Sequence, residues 1–268
     1  MSNYSDQDNN QKTYTHSVYD FTDQKSKGLF LSKVFGMMFI CLLVTAIIAA
    51  AFGYSFQAML LHSMVDNGEG VMVYSEGALY TLIGILITSA IALLVMSFVL
   101  PIMFSRGKHN ILIPLIIYVC LMGILLSTFT FIFEPIILVE SFAITSLIFG
   151  LMALLGYLSK GRLTGIGFIL LGLLIGAGLL AGFNFLMIMF NGISEANVML
   201  SWIVSFMLFG LLMLVTLYDV YRIKRIAEGG EKHDNNLVLY CAYILYSDFI
   251  ALLVRVIYYV AIIFGKRK

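Results

Sequence analysis

Seven long runs of apolar residues, separated by short polar stretches, fill the chain beyond its first few dozen positions. They extend from Val34 to Tyr54, Leu79 to Phe104, Ile111 to Phe133, Ile136 to Leu158, Leu163 to Phe190, Val198 to Tyr221 and Val238 to Phe264. About 20 apolar residues at 1.5 Å rise cross roughly 30 Å of hydrocarbon, so each run predicts one spanning helix. Nothing alternates with a period of two, and a segment in lipid must pair its backbone within itself or in a closed sheet. The fold predicted is therefore an all-α integral membrane protein with seven transmembrane helices. Residues 1–28 are polar, rich in Asn, Gln, Ser and Asp. Too polar to bury a core, they are expected to form a disordered cytoplasmic tail ahead of a membrane domain over 29–268. No cleavable leader is expected, and the first span would act as its own targeting signal.

Composition agrees: 61% of residues are hydrophobic and 12% charged, with a mean hydropathy of +0.98. Soluble domains carry about 25% charged residues. A net charge of +1 selects no partner, and neither nucleic acid nor a cofactor is expected. Cys41, Cys120 and Cys241 all fall inside apolar runs, where small packing residues are the simple reading. His16, His62, His109 and His233 are scattered on polar segments without zinc spacing.

The basic residues orient the frame. Lys12, Lys25, Lys27 and Lys33 precede or open the first span; Arg106 and Lys108, Lys160 and Arg162, then Arg222, Lys224, Arg225 and Lys232 fall in the second, fourth and sixth loops. The first, third and fifth loops carry instead Asp66, Glu69, Glu76, Glu134, Glu140 and Glu195. Lys and Arg favour the cytoplasmic side, so the N-terminus is expected there. A full seventh crossing then puts the C-terminus outside, with Lys266, Arg267 and Lys268, against the rule; a segment that only dips in would keep them inside. The full crossing is preferred, because the run is ample for one span.

Glycines mark the fifth run, where Gly172 with Gly176 and Gly178 with Gly182 form small-xxx-small pairs that predict close helix packing. Asn184 in the same run is expected to find an interhelical hydrogen bond. Pro101 and Pro114 flank the second loop near span ends, where a missing amide hydrogen bond costs least. Spans one to three and four to six would have opposite topology, as inverted repeats do, though no residue-level similarity accompanies it.

The candidate chemistry lies in Asp219, near the end of the sixth run, and Asp248, well inside the seventh. An ionisable group within a span is costly and marks a functional site by default. With the sixth loop taken as Glu228 to Asn236, Asp219 lies nine residues before it and Asp248 twelve after. At 1.5 Å per residue their depths differ by about 4 to 5 Å, less than a helical turn. Two carboxyls meeting there would share a proton and titrate as a pair. Singly protonated they hold together, doubly ionised they repel, and the open form offers four oxygens to a hard cation such as calcium. The plainer alternative has Asp219 reaching for the headgroups beside Arg222, and Asp248 served by Arg255 two turns along its own helix. Paired intramembrane aspartates also describe aspartyl proteases, but Tyr246-Ser247 stands where those enzymes carry a glycine-containing signature, and no Pro-Ala-Leu stretch follows. An enzyme is not expected.

The stretch LYSDFIALLVRVI, 245–257, is similar to a run in the last span of the Bax inhibitor 1 family, and LYDVYRIKR, 217–225, resembles that family's aspartate followed by a basic helix end. The first span, VFGMMFICLLVTAIIA, and the stretch from Gly123 to Phe185 follow the family layout, so the resemblance covers about residues 30 to 268. It implies a seventh helix central between two three-helix layers, and a pH-sensitive calcium leak gated by paired aspartates that fall here on Asp219 and Asp248, which would also be its calcium ligands. It further implies a stress-protective role in a membrane, here a bacterial plasma membrane, and in some bacterial members association with a membrane protease. A non-catalytic modulator of such a partner is the alternative. Some members set an arginine of the second span against the first aspartate; this chain has no Lys or Arg from Glu76 to Ser105.

Overall fold

The computed structural model describes residues 24–66, 72–107, 110–159, 166–191, 195–228 and 235–264. The expected polar tail before residue 24, with Lys12 and His16, lies outside the described residues, as do Lys108, His109, Lys160, Arg162, Lys232, His233, Lys266, Arg267 and Lys268. Every predicted span is a helix: α1 (Gln24–His62), α2 (Glu76–Arg106), α3 (Leu112–Ile132), α4 (Pro135–Leu158), α5 (Ile166–Asn191), α6 (Glu195–Glu228) and α7 (Asn235–Phe264). All seven are long and apolar enough to cross a membrane.

Two differences concern the first span and its loop. The 39-residue α1 starts inside the stretch expected to be tail and reaches His62, so at roughly 58 Å it projects well beyond the hydrocarbon. The first loop contains an antiparallel hairpin of β1 (Met64–Asp66) and β2 (Met72–Tyr74), with Met64 opposite Tyr74. Three-residue strands are too short for periodicity to reveal. Pro114 sits in the first turn of α3, as expected, whereas Pro101 lies within α2, which continues to Arg106. Gly107 ends α2 at φ 62°, and its N–H bonds back to the Phe104 carbonyl.

The seventh helix is the core. In its spanning window 61% of residues are buried, against 11–39% in the other six. It touches α1, α2 and α3 on one side and α4 and α6 on the other. Within the first layer α3 packs on both α1 and α2, and within the second α6 packs on both α4 and α5. This is the predicted architecture, a central helix between two layers of three.

Contacts fix the directions. Ile48 faces Gly123 while Gly53 faces Thr130, and Ile111 N–H reaches Asn236 while Tyr118 stacks edge-on with Tyr243, so α1, α3 and α7 run parallel. Ser205 meets Tyr259 while Asp219 meets Asp248, so α6 and α7 are antiparallel. Unbroken from Asn235 to Phe264, α7 follows α6 along this length as one continuous helix, long and apolar enough for a full crossing.

The glycine pairs of α5 do not pack as expected. A Cβ built on Gly172, Gly176, Gly178 or Gly182 would meet nothing within 4 Å, because all four lie on the exposed side of a peripheral helix. Close approach occurs elsewhere. At Gly156 of α4 a Cβ would stand 2.5 Å from the Leu217 carbonyl oxygen, so α6 backbone rests directly on α4 at this point.

Candidate functional site

Asp219 and Asp248 are brought together. Their carboxyl groups lie within hydrogen-bonding reach of each other across the α6–α7 contact. A bond between two carboxyl groups requires a proton held between them. Asp219 is half-buried; Asp248 Oδ2 is buried and has no hydrogen-bond partner among the described residues. Arithmetic over the sixth loop foresaw the matched depth but could not say that the faces meet. They do so because Phe249, the residue after Asp248, turns the other way into α4, its ring 5.4 Å from Phe142 and 5.5 Å from Phe149.

The two supporting arginines behave differently. Arg222, one turn beyond Asp219, is exposed and acts on that carboxyl electrostatically; its charge also reaches Tyr240 and Cys241 of α7. The described ion pairs of this helix end are instead Lys224 and Arg225 with Glu228. Arg255 is half-buried and makes no ion pair or hydrogen bond with Asp248, so the pairing within α7 that the sequence allowed is not formed. With no Lys or Arg on α2 before its last residue, Arg106, the cation that acts on the first aspartate lies on that aspartate's own helix.

The remaining faces of α7 are fixed by groups that sequence reasoning passed over. Tyr246 and Thr45 share a hydrogen bond of 2.6 Å, and Thr45 Oγ1 donates to the Cys41 carbonyl at 2.9 Å. The Tyr118 hydroxyl of α3 lies near Ser247 and Tyr243, its ring 5.1 Å from that of Tyr243. Near the other end Ser205 and Tyr259 bond at 2.9 Å. The visible signal was the spacing of Tyr240, Tyr243 and Tyr246, three apart, a polar-tipped stripe on an apolar helix. Lys224 Nζ donates to the Tyr157 carbonyl at 2.7 Å, capping the end of α4 and holding the last turns of α6 against it.

No cluster of three or more His, Cys, Asp or Glu side chains is found among the described residues. The aspartate pair supplies at most four oxygens, and calcium takes six to eight. By themselves these residues do not complete a resident calcium cage. The three cysteines are free; Cys41 and Cys241 are buried and Cys120 is half-buried.

The family described as "Inhibitor of apoptosis-promoting Bax1" matches residues 28–267, nearly the whole chain. The chain belongs to the Bax inhibitor family. Among curated proteins it is 30% identical over 245 residues to the inner membrane protein YbhL of Escherichia coli K12, covering 89% of this chain and 92% of that protein. The YbhL protein of E. coli strain CFT073 matches to the same extent. The family resemblance carried by 217–225 and 245–257 is thus shown over the full membrane domain, and both aspartates of this Bax inhibitor family protein lie within the matched region.

Proposed function

We propose that this Bax inhibitor family protein is a non-enzymatic, pH-sensitive leak pathway for calcium or related cations. In this reading the Asp219–Asp248 pair is the latch, the membrane is a bacterial inner membrane, and the N-terminus is cytoplasmic. The observation that carries it is the approach of two carboxyls to hydrogen-bonding reach on antiparallel helices, each helix long and apolar enough to cross a membrane. With one proton the pair ties α6 to α7. Without it, two like charges a few ångströms apart in a poorly solvated place repel. Ser205 and Tyr259 still join the same helices fourteen residues away along α6, roughly 21 Å, so separation is confined to one half of the contact. The parted carboxylates then offer oxygen ligands to a hard cation moving through. Cation homeostasis under stress is the role that such a leak serves.

The test is calcium entry into liposomes containing the purified protein. Asp248→Asn keeps a hydrogen-bonding partner for Asp219 but cannot add the second charge, so it is expected to flatten the pH dependence of flux. Asp219→Asn should do the same. Equal flux in wild type and both variants over about pH 5 to 8, where interacting carboxyl pairs titrate, would sink the reading.

A further inference from the structure

Asp219 faces more than its partner. It also lines a groove of about 460 Å³ between α5 and α6, walled by Phe168, Leu171, Leu174 and Val215 and carrying Arg222 one turn beyond the carboxyl. Antiparallel pairing of Gly167 with Tyr218 and of Asn184 with Ser201 sets the level: Asp219 lies opposite Ile166, the first described residue of α5. The charged residues are therefore at the α5 start of the groove and the apolar walls run inward. At this same level the Tyr218 phenol rests on Gly167, where a Cβ would overlap its hydroxyl and stand 2.7 Å from Cζ. Gly107 is the positive-φ glycine of the described chain, so Gly167 is needed for space, not for its backbone angle. On other sides of α7, Tyr246 bonds Thr45, Tyr118 packs edge-on against Tyr243, and Phe249 packs on Phe142 and Phe149.

We propose that this α5–α6 groove is the entry by which water and cations reach Asp219, with Tyr218 seated on Gly167 as its gate and Arg222 setting its charge preference. The proposal rests on the reading of the aspartate pair as an ion-linked latch and names the path to it. The ring rests on Gly167 and beside the Leu170, Ala177 and Leu211 cluster; it can swing without breaking a backbone hydrogen bond, and apolar walls behind it close by dewetting when it is seated. The guanidinium at the mouth repels cations and keeps the path a slow leak; the carboxyl behind it offsets that repulsion once an ion has entered.

The groove is tested by thiol labelling, independently of flux. Val215→Cys places a thiol on the inner wall, and wild type with its own three cysteines sets the background in vesicles exposing the α5 start. Membrane-impermeant thiosulfonates, one cationic and one anionic, are expected to modify Val215→Cys, and adding Tyr218→Ala should speed both severalfold. Arg222→Gln should erase a preference for the anionic reagent of roughly tenfold, the lower end of electrostatic focusing. Gly167→Ala must displace the same ring from the opposite wall and gives a second handle on the gate. Modification by a lipid-soluble maleimide alone would mean that acyl chains fill the groove and would overturn the proposal. So would labelling rates unchanged by both Tyr218→Ala and Gly167→Ala. A leak that fails in liposomes leaves these rates as they are, so the two readings fail separately.

Discussion

α5 and α7 look alike as sequence, two long apolar runs of which α5 is the more apolar, yet α7 has 61% of its spanning residues buried and α5 has 11%. Between helices in lipid there is no hydrophobic drive, since acyl tails are as apolar as leucine. What belongs inside a membrane bundle is instead marked by groups that need a partner. α7 carries Tyr243, Tyr246, Ser247, Asp248 and Tyr259, and each of these meets a polar group of another helix. α5 carries Asn184 bonded to Ser201 and, beyond Gly167, four glycines at which a Cβ would meet nothing within 4 Å. In this fold, polarity within a span is the better guide to the core, and smallness alone is a poor one.

The largest contrast is expected from aromatic truncation on the two helices. Phe249 is 3% exposed and meets both Phe142 and Phe149, whereas Phe185 of α5 is 67% exposed. Phe→Ala in a water-soluble core costs about 3–5 kcal/mol, part of it transfer from water. In lipid that part is absent, and the lost packing leaves about 2 kcal/mol for Phe249→Ala. Phe185→Ala should stay within about 0.5 kcal/mol of wild type. Reversible unfolding in mixed micelles measures both, and equal losses would break the contrast between core and fringe.

Next come the glycines. Gly156→Ala drives a methyl against the Leu217 carbonyl and the Val220 side chain, which are backbone and β-branched neighbours with little room to give. Overpacking of this kind costs about 1–3 kcal/mol. Gly172→Ala meets nothing within 4 Å and gains helix propensity, so it should be neutral or stabilising by up to about 1 kcal/mol. Destabilisation by Gly172→Ala would point to a partner surface on that face of α5.

Much of this was legible. Length and apolar content located seven helices, because a bilayer imposes one dimension on every span. Loop arithmetic brought Asp219 and Asp248 to one depth, because two straight helices joined by a short loop keep count. Helical phase was not legible: which way Asp248 turns is set by Phe249 packing on α4, a contact between distant parts of the chain. For the same reason Gly172, Gly176, Gly178 and Gly182 misled, while Gly53, Gly123, Gly156 and Gly167 carry the close approaches. The order of the layers came from family resemblance rather than from the pattern of residues.

The smallest effects sharpen the comparison most, because they set one hydrogen bond against another at equal length. Tyr246 with Thr45 and Asn184 with Ser201 are both 2.6 Å. Thr45 Oγ1 uses its own proton on the Cys41 carbonyl, so Tyr246 is the donor in its pair, and Tyr246→Phe strips a buried acceptor of its partner. Interhelical bonds in membranes average about 0.6 and reach about 1.7 kcal/mol, and a site with 0% and 3% exposure belongs in the upper part of that range, near 1 kcal/mol. Asn184 differs because its Oδ1 is buried without a partner among the described residues. Asn184→Leu loses one bond but also removes an unpaired acceptor, and the two changes should offset to within about 0.5 kcal/mol. If Asn184→Leu proves the more damaging, α5 is held to α6 by that single polar contact, and the fringe helix is fixed by the same kind of group that fixes the core.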